Sequence, residues 1–244
     1  MGVTSGADEN LTIDKTPKQH PDCPDNGLLR FDDWEGIFES PMDNKRNSGK
    51  PPCFLATLRK GDVKVSVVVK FVYSYTGTYG KATHEYLHGL GLAPQLYSAV
   101  NLHRGLVMVI MEHLAFQKGI GGWVELETFE KRLGTMAGAV RKKLDKIIDL
   151  LQDQNMVHAD LRPKNIMVQV DKHHQITMSE TEPALSLVDF DWAGTVDEVS
   201  YPPCLNRQIP WPTGAKGFKK VGGNDDRILL DNWWKAFVEP TEIS

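Results

Sequence analysis

The chain has 244 residues, 41% of them hydrophobic and 25% charged, with a formal net charge of −4. That length allows one large domain or two lobes with a real core, and the charge excludes a global basic field of the kind that gathers nucleic acid. No run of about 18 apolar residues occurs, so no membrane span is expected, and Cys23, Cys53 and Cys204 are too far apart for a metal-ligand pair and point to a reducing compartment.

Residues 1–27 are polar, rich in Asp, Pro and Thr, and without periodicity, which predicts a loose tail. They contain no apolar signal core, and Gly6 stands where a myristoylation pattern wants Ser or Thr. An intracellular protein, cytoplasmic or nuclear, with neither membrane nor nucleic-acid partner, is the expectation. Apolar residues at 28, 29, 31, 34, 37 and 38 come close to helical spacing. Residues 43–52 are a loop by composition. Cys53-Phe-Leu-Ala-Thr-Leu reads as a strand, residues 59–62 as a turn, and residues 63–72 as the returning strand of a β-hairpin. Lys70 lies inside the β-branched run of that second strand. On its own it reads as an edge or snorkelling lysine.

Residues 83–90 predict a short helix carrying Glu85, closed by Gly91-Leu-Ala-Pro94. A strand begins at Gln95, and Leu106-Val-Met-Val-Ile-Met111 is a buried strand. Gly119-Ile-Gly-Gly122 reads as a turn. Residues 125–155 read as two helices, the second with an apolar stripe at Met136, Val140, Leu144, Ile147, Ile148 and Leu151. Its outer face, Arg141, Lys142, Lys143 and Lys146, reads as solvated. Residues 166–170 and 185–188 are short strands around a polar insertion whose tip, His173-His174, lacks a third nearby ligand for a metal. Pro202, Pro203, Pro210 and Pro212 predict an extended surface segment anchored by tryptophans, and residues 225–237 a final helix.

The chemistry lies in His158-Ala-Asp160-Leu-Arg162-Pro-Lys164-Asn165 and in Leu187-Val-Asp189-Phe-Asp191, with Asp189 following Asp160 by 29 residues. The first run has the H-x-D-x-x-x-x-N spacing of a phosphotransfer loop, and the second puts an Asp-Phe pair at the end of an apolar strand. Phosphoryl transfer uses one carboxylate beside the accepting hydroxyl, and an Asn and an Asp to hold the metal that bridges the phosphates. Each residue alone reads as a turn or a cap; their order and spacing together give the functional reading.

On these motifs the chain, from about Cys53 to Gly194, resembles the protein-kinase-like superfamily, which includes small-molecule kinases of the aminoglycoside and choline type. Asp189-Phe-Asp-Trp-Ala-Gly, Tyr201-Pro-Pro-Cys-Leu-Asn and Trp211-Pro extend a narrower likeness, to short fungal protein-kinase-like proteins, as far as about Asp226. The resemblance implies an α+β, two-lobed fold. A small antiparallel-sheet N-lobe at 28–114 would precede a truncated, mainly helical C-lobe at 115–244. It implies ATP and Mg2+ as cofactors. Asp160 would orient or deprotonate the acceptor, and Arg162 would stand where protein kinases carry a phosphate-contacting lysine. Asn165 and Asp189 would hold metal. Lys70 would anchor the phosphates with Glu85 as its ion-pair partner, and Glu112 to Leu114 would meet the adenine through backbone groups. His158 would tie the loop to the metal-binding segment.

Three departures qualify that picture. No G-x-G-x-x-G precedes Lys70, only 50 residues follow Gly194 with no A-P-E among them, and Asp191 replaces the glycine of Asp-Phe-Gly. The leading expectation is an ATP- and Mg-dependent phosphotransferase acting on a hydroxyl, with nucleotide and a protein or small-molecule acceptor as partners. A catalytically weak or inactive pseudokinase serving as a binding module, and a small-molecule kinase, are the alternatives.

Overall fold

The computed structural model describes residues 28–42, 53–73, 79–102 and 105–239, so the expected tail at 1–27 and loop at 43–52 lie outside them. The chain divides into two compact units, Met1–Tyr73 with Leu96–His113 and Ser74–Gln95 with Leu114–Ser244. Among the described residues, 79–95, read from the sequence with the first half, fall in the second unit.

In the first unit, six strands form one antiparallel sheet in the order β1-β2-β3-β4-β6-β5. They are β1 (Leu28–Phe31), β2 (Trp34–Pro41), β3 (Cys53–Lys60), β4 (Val63–Tyr73), β5 (Leu96–Asn101) and β6 (Leu106–Glu112). Strict alternation decides which face is buried. Phe54, Ala56 and Leu58 of β3 and Val67, Val69 and Phe71 of β4 point into one cluster with Leu29, Phe38, Leu106 and Ile110. Phe38, Phe54 and Phe71 meet edge to face at centroid distances of 5.5 and 6.1 Å. Lys70 falls on the opposite face of β4, registered with Cys53 on one side and Val109 on the other.

Residues 28–38 are two strands, not the helix their spacing predicts. The chain turns at Asp32-Asp33, with Asp32 at φ 48°, and β2 then alternates with buried Gly36 and Phe38. Gly36 hides the two-residue period because it is the inward position that carries no side chain. A Cβ there would lie 2.7 Å from Leu58 Cδ2.

The second unit contains α1 (Lys81–Gly89), β7 (Phe116–Gln117), β8 (Gly121–Glu125), α2 (Ala137–Asp153), β9 (Met156–Val157), β10 (Ile166–Asp171), β11 (Met178–Ser179), β12 (Glu182–Pro183), β13 (Leu185–Leu187), β14 (Gly194–Thr195) and α3 (Asp225–Val238). A four-stranded sheet runs β13-β10-β8-β7. The expected stripe of α2 is buried at Val140, Leu144, Ile147, Ile148 and Leu151. Of its outer face, Arg141 pairs with Asp145 and Asp231, Lys143 and Lys146 both reach Glu182, and Lys142 stays exposed.

Two expectations fail here. Residues 125–155 contain one α-helix, preceded by 3-10 turns at Leu126–Phe129 and Gly134–Met136, because Lys131 (φ 58°) and Gly134 (φ 52°) take left-handed conformations that break a helix. The unit is also not mainly helical. Among the described residues, beyond three α-helices it is built from short strands and the extended segment at 196–224, where Pro202, Pro203, Pro210 and Pro212 withhold backbone donors. Among the described residues no helix is long and apolar enough to cross a membrane.

Candidate active site

Two pairs of strands hold the motif segments side by side. The run from His158 to Asn165 leaves β9 and enters β10; the Asp189 run leaves β13 and enters β14. Strand β9 pairs with β14, and β10 with β13. A backbone bond joins the two segments, Val188 N donating to Asn165 O at 3.0 Å, and Leu187 N donates to Leu92 O, just after α1, at 2.8 Å. Pro163 opens a 3-10 turn that sets Asn165 back against Asp160.

Asp160 is only 4% exposed. The Arg162 guanidinium grips it in a two-pronged ion pair, Nε to Oδ1 at 2.7 Å and an NH2 group to Oδ2 at 3.0 Å. Asn165 Nδ2 donates to Asp160 O at 2.9 Å and to its Oδ2 at 2.7 Å. Both amide hydrogens are thereby used, and the amide oxygen is the end left for a cation. Burial pushes the Asp160 carboxyl up to about 6; Arg162 pulls it down, and the nearby negative charge of Asp189 pushes it up again. Asp189 itself sits at φ 70°, a left-handed conformation that Asp tolerates.

The loop is clamped from behind by a residue that the sequence reading passes over. Asp226, 2% exposed in the first turn of α3, accepts hydrogen bonds from His158 N at 2.6 Å and Ala159 N at 2.9 Å. This holds Ala159 at φ 66°, a conformation that costs a Cβ-bearing residue about 1–2 kcal/mol. Burial raises the Asp226 carboxyl to about 6, with the two amides opposing that. Trp233, also on α3, donates Nε1 to Leu161 O at 3.0 Å. In sequence Asp226 looks like an ordinary acidic residue at a helix start.

His158 Nε2 lies 3.0 Å from Val188 O, which ties the loop to the Asp189 segment as a structural histidine would. Its ring also packs at 5.1 Å against Phe190, and the other side of Phe190 stacks on His84 of α1 at 4.4 Å with planes 12° apart. Fully buried His84 is fixed by Tyr79 Oη at 2.7 Å and Pro94 O at 2.8 Å, and burial lowers it to about 4. Gly80 lets the start of α1 come this close. Its N–H donates to Phe190 O at 3.0 Å, and a Cβ there would lie 2.6 Å from Ala193 Cβ. His84 was not singled out from sequence either, since nothing local marks a helical histidine as the lid on a distant phenylalanine.

Of the residues expected at the site, Asp160, Arg162 and Asn165 are in direct contact and Asp189 is joined to them through Val188. Lys164 points outward to Glu127 at 3.4 Å. Glu85 is paired on its own helix with Lys81 at 3.6 Å, both half-exposed. Lys70 and Glu112 belong to the first unit, Glu112 as the last residue of β6, and the units divide between His113 and Leu114. Among the described residues no group of three or more His, Cys, Asp or Glu gathers as a metal cage. Trp192 and Trp211 pack together at 5.9 Å, beside Tyr201.

No family model matches the chain, and no curated protein does. Among solved structures it is similar to the kinase PK-1 of Cydia pomonella granulovirus, at 16% identity and a TM-score of 0.56, over 86% of this chain and 71% of that one. The likeness is one of fold, and the fold is kinase-like.

Proposed function

We propose that this protein is an ATP- and Mg2+-dependent phosphotransferase that moves the γ-phosphate to a hydroxyl acceptor. The observation that carries the proposal is the buried Asp160 carboxylate, held between Arg162 and Asn165, with Asn165 tied through its carbonyl to the residue before Asp189. Asp160 orients the acceptor hydroxyl and takes its proton, a role worth ~10²–10⁴ in rate. Its raised affinity for a proton suits that task near neutrality.

The donor set fits Mg2+. An amide oxygen at Asn165 and a carboxylate at Asp189 are hard ligands, and Mg2+ takes one or two protein groups and completes its shell with water and phosphate oxygens, so no all-protein cage is called for. When bound, the ion neutralises charge that develops on the phosphates. Lys70 would supply a further cation for the phosphates and the backbone from Glu112 to Leu114 the adenine contacts, and Glu85 would leave Lys81 to partner Lys70. Arg162 shifts from Asp160 toward the transferred phosphate as the acceptor replaces it.

The test is thermal stability with and without Mg-ATP, in wild type and Asp189→Ala. At 100 times the dissociation constant binding adds ~2.7 kcal/mol, a shift of roughly 5–10 °C for a domain of this size. The shift is expected in wild type, to require Mg2+, and to vanish in the variant; no shift at millimolar Mg-ATP refutes the proposal.

The Arg162–Asp160 pair also favours a second reading, because it occupies both carboxylate oxygens. A pseudokinase that binds nucleotide as a module would keep that pair closed. Mg-ATP binding without transfer to Ser, Thr or small alcohols selects it.

A further inference from the structure

Arg207, Lys216, Lys219 and Lys220 are all exposed, and residues 199–224, which contain them, include no Asp or Glu although the chain as a whole carries −4. On α2 and α3, Arg141, Lys143, Lys146 and Arg227 are each paired with a carboxylate, while exposed Lys142 and Lys235 form no ion pair among the described residues. None of the four exposed cations forms an ion pair among the described residues; Lys220 only donates to Glu198 O, at 2.6 Å. Beside them stands Phe218, 66% exposed and at φ 64°. A phenyl ring there lies outside the core, and its backbone conformation is one that glycine would hold without strain. The ring is left largely in solvent at a backbone position that disfavours it, as a residue kept for recognition would be.

The segment is fastened to the reaction centre. Phe218 N donates to Tyr201 O at 3.1 Å, and Tyr201 N to Lys219 O at 2.9 Å. The Tyr201 hydroxyl donates to Asp225 at 2.9 Å, next to the Asp226 that clamps His158 and Ala159. Tyr201 also packs edge to face on Trp211 at 5.8 Å. A ligand on this surface is therefore held on a segment tied through Tyr201, Asp225 and Asp226 to the loop that carries Asp160.

We infer that the surface formed by Arg207, Lys216, Phe218, Lys219 and Lys220 docks an acidic polypeptide segment, the acceptor of the phosphotransfer proposed above and resting on that reading. Four exposed cations in one segment, three of them within two residues of one exposed aromatic ring, match a short acidic peptide with an apolar side chain. A nucleic acid would ask for a longer track of phosphate contacts, and the net negative charge of the chain opposes it.

The experiment measures anisotropy of a fluorescein-labelled peptide with one serine flanked by glutamates, against glutamine and lysine counterparts, on the full chain. The glutamate peptide is expected to bind about tenfold more tightly than the glutamine one, the yield of a few exposed charge pairs. Lys216→Glu with Lys219→Glu should erase that preference, and Phe218→Gly should weaken all three peptides without destabilising the fold. Equal binding of the glutamate and glutamine peptides overturns the inference. So does tighter binding of single-stranded DNA or phosphatidylserine vesicles that the same charge reversal abolishes. The Mg-ATP thermal shift is read on the same samples. Its absence alongside selective peptide binding removes the phosphotransferase reading and leaves the docking surface, whereas a shift without peptide preference does the reverse.

Discussion

Asp226→Ala removes the clamp behind the Asp160 loop, and its cost can be worked from the contacts. Two buried N–H groups, of His158 and Ala159, lose a charged acceptor at 2.6 and 2.9 Å. Each such bond is worth ~1.5–3 kcal/mol, offset in part because a carboxylate 2% exposed no longer has to be buried. A net loss of ~2–5 kcal/mol follows, which a domain stable by ~5–15 kcal/mol survives. Urea denaturation measures it. Freed from Asp226, Ala159 relaxes from φ 66° and Asp160 moves with it, so transfer should fall far more than Mg-ATP binding. The pH dependence supplies an independent check. The Asp226 carboxyl stands at about 6 in the fold against 3.8 unfolded. Its contribution is therefore full below about 4 and lost as pH rises through about 6. The variant lacks that loss, so the stability gap between wild type and variant should narrow toward neutral pH. A cost under about 0.5 kcal/mol, the level of an ordinary surface change, would refute the clamp, and a gap that widens toward neutrality would show that the two amides outweigh burial at the Asp226 carboxyl.

Arg162→Ala removes the group that draws Asp160 down, so the acid limb of the kcat/KM profile should move up by about one to three pH units; an unmoved limb would show that Asp160 is not the titrating base. His84→Phe keeps a ring against Phe190 but strands Tyr79 Oη and Pro94 O, a loss of ~1–3 kcal/mol in thermal or urea unfolding. Because His84 is lowered from 6.5 to about 4 and folds neutral, its contribution is full above 6.5 and lost as pH falls through about 4, and the variant should lack that acid-side loss.

What the sequence revealed divides by range of interaction. The α2 stripe, the β3–β4 hairpin and the spacing from His158 to Asn165 were legible because each is a local pattern written in consecutive residues. The strands at 28–41 were not, since Gly36 removes one inward side chain and lets a two-residue period pass for a helical one. Gly36 is required by a contact with Leu58 of another strand, which a local window does not see.

The same division runs through the site. Asp160, Arg162, Asn165 and Asp189 could be named from order and spacing, but what makes Asp160 a usable base could not. Its burial and its restraint depend on Asp226, 66 residues further along, and the setting of Asp189 on the Phe190 stack with His84, more than 100 residues earlier. Asp226 and His84 carry types common at helix starts and on helix faces, and only packing turns them into a clamp and a lid. Their role also accounts for Ala159, held at φ 66° by Asp226, and for Gly80, whose missing Cβ lets α1 come up against Phe190 and Ala193. Strain that is held in place by long-range contacts, at residues whose local sequence does not require it, is what a site under positional selection should show. It is on that ground that the Asp226 and His84 substitutions, rather than changes to the motif residues, test whether this loop is kept in working geometry.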